Sequence, residues 1–144
     1  MKIAAITTVR NDEMFLEKWV RYYGDQLGVK NLYVFMDGHD QAVPKAAEGV
    51  NSLYLPHIPL KRVPAMRRRA QVMSYLARGL FKYFDAVIVT DVDEFLVVDP
   101  QLNTSLAEYL SQSKSRSSLS GLGLDVGQHI NLEEPLDVSR PFLD

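Results

Sequence analysis

Apolar positions along this chain follow two periods, and the switches between them set out its elements. Lys2 to Val9 is apolar and β-branched and reads as a first strand. Polarity then rises at Arg10-Asn11-Asp12-Glu13. Asn11 is the expected N-cap of a helix, with Asp12 and Glu13 in the first turn, where the helix dipole favours acids. Phe15, Leu16, Trp19, Val20, Tyr23 and Leu27 recur at helical spacing and predict a buried stripe, and Gly28 is the expected stop. Core packing, not a ligand box, is the expected role of these aromatics. Asn31 to Met36 returns to strand character and leads into Asp37-Gly38-His39-Asp40. Strand, helix and strand in this span predict a βαβ unit. A short helix is expected within Pro44 to Gly49 and a third strand from Ser52 to Leu55. A proline-punctuated loop follows from His57 to Pro64. The next helix is predicted to start with Pro64 at its first position, with Met66, Ala70, Met73, Ala77, Leu80 and Phe84 facing the core.

The most informative stretch is Ala86-Val87-Ile88-Val89-Thr90-Asp91-Val92-Asp93-Glu94-Phe95-Leu96-Val97-Val98. Its uncharged start reads as a strand buried on both faces. Unpaired ionised carboxylates are very costly in an apolar interior, so the strand must end at Asp91 and project its acids into a site. In open α/β sheets ligands bind at that carboxyl edge. Strand alternation would put Asp91 and Asp93 on one side and Val92 on the other. Carboxylates so close repel unless a cation sits between them. A divalent metal carrying a phosphorylated ligand meets that need, and oxygen-only ligation suits Mg²⁺ or Mn²⁺. An idle acidic turn is the bland alternative. Asp37 is expected at the same sheet edge, although Asp before Gly is also a common turn. Arg67, Arg68 and Arg69 fan over about 200° of a helix and cannot all serve one ligand. Arg67, sharing a face with Gln71 and Ser74, is the preferred diphosphate contact over Arg69, which lies toward the core side.

Asp99-Pro100 reads as a turn, and Thr104 or Ser105 as the cap of a helix holding Leu106, Ala107, Tyr109 and Leu110. Ser111 to Ser120 reads as a basic, Ser-rich surface loop, Leu119 to Leu124 as a candidate strand, and Gly127 to Asp144 as turns and bends.

The chain's 144 residues suit one domain with a sizeable core. Its net charge of −2 gives no global field for nucleic acid or an anionic membrane. It has no cysteine, which excludes disulfides, zinc–thiolate sites and thiol catalysis and fits a reducing compartment. The apolar run at the start is too short for a signal peptide, and no stretch is long enough to span a bilayer. A cytoplasmic location is expected.

With these residues placed, the sequence resembles a GT-A glycosyltransferase, near the family 2 and family 92-like group. Thr7-Thr8-Val9-Arg10-Asn11-Asp12-Glu13 followed by Phe15-Leu16-Glu17-Lys18-Trp19 is similar to that group's opening strand and its N-E-x-x-x-L-x-E-W helix start. Tyr33-Val34-Phe35-Met36-Asp37-Gly38 resembles the second strand with its nucleotide-binding Asp. Val89-Thr90-Asp91-Val92-Asp93-Glu94-Phe95-Leu96 resembles the D-x-D-E-F-L signature, the most specific of the three. The resemblance implies a Rossmann-like α/β fold, with a mostly parallel central sheet flanked by helices. It implies a hexosyltransferase-type activity on a UDP- or GDP-sugar with a saccharide acceptor. It also implies roles: Thr8, Arg10 and Asp37 lining the base and ribose pocket, and Arg67 or Arg68 on the phosphates. Asp91 would reach the ribose or a metal-bound water, and Asp93 would coordinate Mn²⁺ or Mg²⁺.

Such enzymes are usually longer. The expectation is therefore a truncated GT-A-like domain, with residues 1–100 as the nucleotide-sugar-binding half and 101–144 as a partial acceptor-side region. Asp125, Glu133 and Glu134 are available as a base but fit no pattern, and His129 is a candidate late metal ligand or a solvated loop residue. A non-catalytic nucleotide-sugar-binding or partner-binding remnant is the alternative. A phosphotransferase using Asp91 as nucleophile lacks the lysine and small-residue motif it needs.

Overall fold

The computed structural model describes residues 1–113 and 118–140. Part of the Ser-rich stretch and the last four residues thus lie outside the described residues. The strands are β1 (Ile3–Val9), β2 (Leu32–Asp37), β3 (Asn51–Leu55) and β4 (Ala86–Val89). They form one parallel sheet in the order β3-β2-β1-β4. The helices are α1 (Glu13–Leu27), α2 (Arg62–Leu80) and α3 (Leu106–Gln112). An α/β fold with a parallel sheet and helices on both faces is what the periodicity predicts.

Burial explains the layering. Leu16, Trp19, Val20 and Tyr23 of α1 are buried against Ile3, Ala5, Val9, Leu32, Val34, Met36 and Ile88 on one face. Met73 and Ala77 of α2 pack with Ile6 and Phe35 on the other. The first crossover carries the chain from β1 to β2, and β3 extends the sheet in the same direction. The α2 crossover returns past both to place β4 on the far side of β1. The order therefore reverses between β1 and β4, and in open α/β sheets the strand ends at such a reversal are where ligands bind.

Several local expectations need correction. The cap of α1 is Asp12, whose Oδ1 accepts from the Phe15 amide at 3.3 Å. Asn11 instead takes a left-handed φ of 52°, which Asn tolerates better than most residues. α2 starts at Arg62, so Pro64 is its third residue. The first four amides of a helix have no intrahelical acceptor, so proline is tolerated there as well. Met66 and Ala70 are exposed, because the first turns of α2 run past the sheet. β4 is an edge strand, with Val89 47% exposed, not a strand buried on both faces. Residues 119–124 form no strand and pair with nothing in the sheet, and Leu122 and Leu124 are exposed. Gly28 does end α1, and Ser105 caps α3 through a reciprocal bond set with Glu108.

The stripe of α1 also carries polar tips. Trp19 Nε1 donates to Thr90 Oγ1 at 3.0 Å. Tyr22 donates its hydroxyl to the Leu96 carbonyl at 2.9 Å, and the Tyr23 hydroxyl accepts from the Leu96 amide at 2.8 Å. Phe95 lies beside both tyrosine rings. Burial pushes the pKa of both tyrosine hydroxyls above its ordinary value, so they stay protonated at neutral pH. Trp19→Phe removes the donor to Thr90 and part of a fully buried ring. The expected loss is about 2–3 kcal/mol in urea unfolding followed by circular dichroism. A loss below about 0.5 kcal/mol would mean that the bond does not hold Thr90.

Candidate functional site at the carboxyl edge

Parallel strands bring all four carboxyl ends to one edge, so Asp37 after β2 and Asp91 after β4 meet there as expected. Val9 pairs with Met36, and the Thr90 amide continues the β4 ladder to the Ile6 carbonyl at 3.3 Å. Alternation decides the face. Ile6 and Phe35 face α2, so Thr8, Arg10 and Asp37 fall on that same side. Thr8 is half-buried and the neighbouring Val89 is open, leaving accessible surface between β1, β4 and the start of α2.

Arg10 is held on every side. It makes a two-pronged ion pair with Asp40, at 3.0 and 2.9 Å, and donates to the Asp37 carbonyl at 2.5 Å. This guanidinium keeps the Asp40 carboxyl at about 2, well below the usual carboxylate range, and Arg10 itself is raised by the same bond. Gln41 donates to the Asp37 carbonyl at 2.9 Å and accepts from the Asn11 amide at 2.9 Å. The loop after β2 can close this tightly because Gly38 has no side chain. A Cβ there would collide with Asp40 and Arg10, and its φ of 116° is itself unfavourable for other residues. Whatever pocket it lines, Arg10 clamps the ends of β1 and β2 together.

The acidic stretch is a turn rather than a continuing strand. The Glu94 amide donates to the Asp91 carbonyl at 3.1 Å, and Glu94 Oε2 accepts from the Asp91 amide at 3.3 Å. Strand alternation therefore does not place Asp91 and Asp93. Val92 is buried beneath the turn and Asp93 is exposed.

Asp91 meets Arg69, not Arg67: Arg69 donates to its Oδ2 at 2.9 Å. Arg69 stands one turn before Met73 and two before Ala77, on the core-facing stripe. That stripe overruns the sheet edge, so at Arg69 it meets Asp91 instead of core. Arg69, and not Arg67, is therefore the arginine that stands beside Asp91. Arg67 and Arg68 are exposed and make no ion pair among the described residues. Lys61, Arg62 and this arginine run gather at the start of α2, whose first turn has no acid and whose cap makes no side-chain bond.

His57 is the residue that sequence reasoning missed. Its Nδ1 lies 3.1 Å from both carboxylate oxygens of Asp37. The contact follows from a register that only the fold reveals: Leu55 pairs with Asp37, so the chain just after β3 passes that carboxylate.

For a divalent cation the fitting donors are the carboxylates of Asp91, Asp93 and Glu94, hard oxygens suited to Mg²⁺ or Mn²⁺. Among the described residues no group of three or more such side chains already converges on one point. A cation held by Asp93 and Asp91 would thus need most of its oxygens from water and ligand phosphates. His129, Asp125, Glu133 and Glu134 stand in the exposed segment 118–140, where Glu133 accepts from the His129 amide at 2.8 Å. No helix of the described residues is long and apolar enough to cross a membrane. Compared with known proteins, the chain matches no family model, no curated protein and no solved structure.

The lowered Asp40 carboxyl fixes a pH dependence. Its stabilising contribution is present above the ordinary value of 3.8 and is lost as pH falls through about 2. The stability advantage of the parent over Asp40→Asn should therefore shrink between those two values in acid unfolding at low salt. A constant difference across that window would remove the clamp from the account.

Proposed function

We propose that this chain carries the donor side of a metal-dependent GT-A glycosyltransferase, which moves a sugar from a UDP- or GDP-sugar to a saccharide acceptor. The observation that carries the reading is the gathering of Thr8, Asp37, Asp91 and a cationic helix start on one face of the carboxyl edge, at the point where strand order reverses. A nucleoside with two phosphates matches that layout. Asp37 offers a carboxylate to the nucleoside, Thr8 a hydroxyl, and the start of α2 offers cations to phosphate oxygens.

In the transfer, the bond from the anomeric carbon to a phosphate oxygen breaks and a bond to an acceptor oxygen forms. Negative charge then builds on the departing diphosphate. Arg69 is the side chain best placed to receive it, by leaving Asp91 for a phosphate oxygen. The released Asp91, with Asp93, would hold Mn²⁺ or Mg²⁺, which neutralises charge on such a leaving group when bound. The acceptor proton needs a base, and the carboxylates that the sequence offers for it, Asp125, Glu133 and Glu134, stand in the exposed segment 118–140. The second reading is a chain that binds nucleotide sugar without completing transfer.

Titration with UDP and GDP, with and without Mn²⁺, tests the site. The metal should strengthen nucleotide binding reciprocally, and Asp93→Asn should abolish that strengthening while leaving the fold intact. Arg69→Ala should weaken binding by about 1.5–3 kcal/mol and Arg67→Ala by clearly less. Equal binding in EDTA, or equal effects of the two arginines, would overturn these assignments. Release of free nucleotide diphosphate from a panel of nucleotide sugars separates the enzyme from the binding reading.

A further inference from the structure

We propose that His57 is a positioning residue that fixes the Asp37 carboxylate in the orientation a nucleoside meets. This deepens the function proposed above and rests on it.

The contact is built by the fold rather than by chance encounter in a loop. β2 and β3 run parallel with Asp37 opposite Leu55, and the Gly38 amide donates to the Leu55 carbonyl at 2.8 Å. The chain leaving β3 is thereby tied beside Asp37, and His57 is two residues further on. Gly38 leaves the room for it: a Cβ at that position would stand 3.3 Å from the His57 Cβ. His57 then sets Nδ1 at 3.1 Å from both Asp37 oxygens.

The chemistry assigns the direction of the bond. An ionised carboxylate only accepts, so the hydrogen sits on His57 Nδ1. Shared between both oxygens, that one donor sets the plane of the carboxylate and leaves further lone pairs on each. The backbone of Asp37 is immobilised too, because its carbonyl accepts from Arg10 and Gln41. Every acceptor of Asp37 is therefore placed by another residue, while the carboxylate stays 42% exposed. A pair this open contributes little to folding. Its consequence is geometric: ligand donors meet a carboxylate whose orientation is already set, which lowers the entropy cost of binding.

The test is titration of the full chain with UDP or GDP in Mn²⁺, using whichever nucleotide binds the parent. The set comprises the parent, His57→Ala, His57→Asn, Asp37→Asn and the Asp37→Asn, His57→Ala double variant. His57→Ala should weaken binding about tenfold, the scale of one charge-assisted hydrogen bond. His57→Asn, which keeps an N–H donor near the Nδ1 position, should recover most of that loss. In the Asp37→Asn background, removing His57 should change affinity by less than about twofold, since no carboxylate is left to position. Thermal melting of His57→Ala should match the parent. Unchanged affinity in His57→Ala overturns the proposal. So does an equal loss in both backgrounds, which would make His57 act independently of Asp37. A parent that binds neither nucleotide overturns the nucleotide reading itself, and the positioning role with it.

Discussion

An acidic turn at the end of an edge strand has little to hold it. β4 is paired on one side only, and directly beyond it the chain carries Asp91, Asp93 and Glu94. The constraint on which the site depends is the grip of α1 on residues 90 to 96. Trp19 bonds Thr90 just before the turn, and Tyr22 and Tyr23 bond both backbone groups of Leu96 just after it. The turn is thus pinned at its two ends by one rigid helix, and Val92 is drawn under it into the core. The same side chains are the buried stripe that attaches α1 to the sheet. Helix docking and placement of the acids are consequently one event: loosening the first releases the second.

The two faces of the sheet divide the labour. The α1 face supplies the core and the grip, whereas the α2 face leaves Thr8 and Val89 accessible and directs Arg69 over the edge. This division follows from topology. α1 crosses between neighbouring strands and lies snugly over β1 and β2. α2 returns across the sheet to reach β4, and its 19 residues are more than its packing needs. The surplus turns carry Met66 and the arginines beyond the last pair of strands. A helix that overshoots its sheet brings a core-facing stripe against the residues beyond the strand ends, as Arg69 meets Asp91.

That geometry explains what the sequence reveals and what it hides. The strands, α1, its stripe and the shared edge of Asp37 and Asp91 are all legible, because alternation, helical period and parallel crossover are local or topological rules. The α1 cap moves from Asn11 to Asp12 because both residue types suit the position, and only the contact of Asn11 with Gln41 decides between them. Arg69 was legible as a member of the core-facing stripe, but not the point at which the core runs out. His57 and Asp40 acquire partners across 20 and 30 residues, through a loop closure that only Gly38 permits. No periodicity encodes such contacts. Residues 119–124 fail in the opposite way: their composition suits a strand, yet a strand exists only where a neighbour offers it hydrogen bonds.

The two arginines of the site stand in contrasting mechanical states. Arg10 makes a two-pronged pair and a third bond to backbone, and it pulls the Asp40 carboxyl down to about 2. Moving it would break all three contacts together and unseat Asp37. Among the described residues Arg69 makes one hydrogen bond through one nitrogen, and both members of the pair are about half exposed. Exposed pairs of this kind contribute on the order of 0–1 kcal/mol, so exchanging the carboxylate for a phosphate oxygen costs little. The carboxyl edge therefore has a fixed side at β1 and β2 and a yielding side at β4 and α2. On the proposed reading, that is the arrangement transfer requires. The nucleoside end of the donor must stay in register throughout. The diphosphate end must find new partners as charge builds on it.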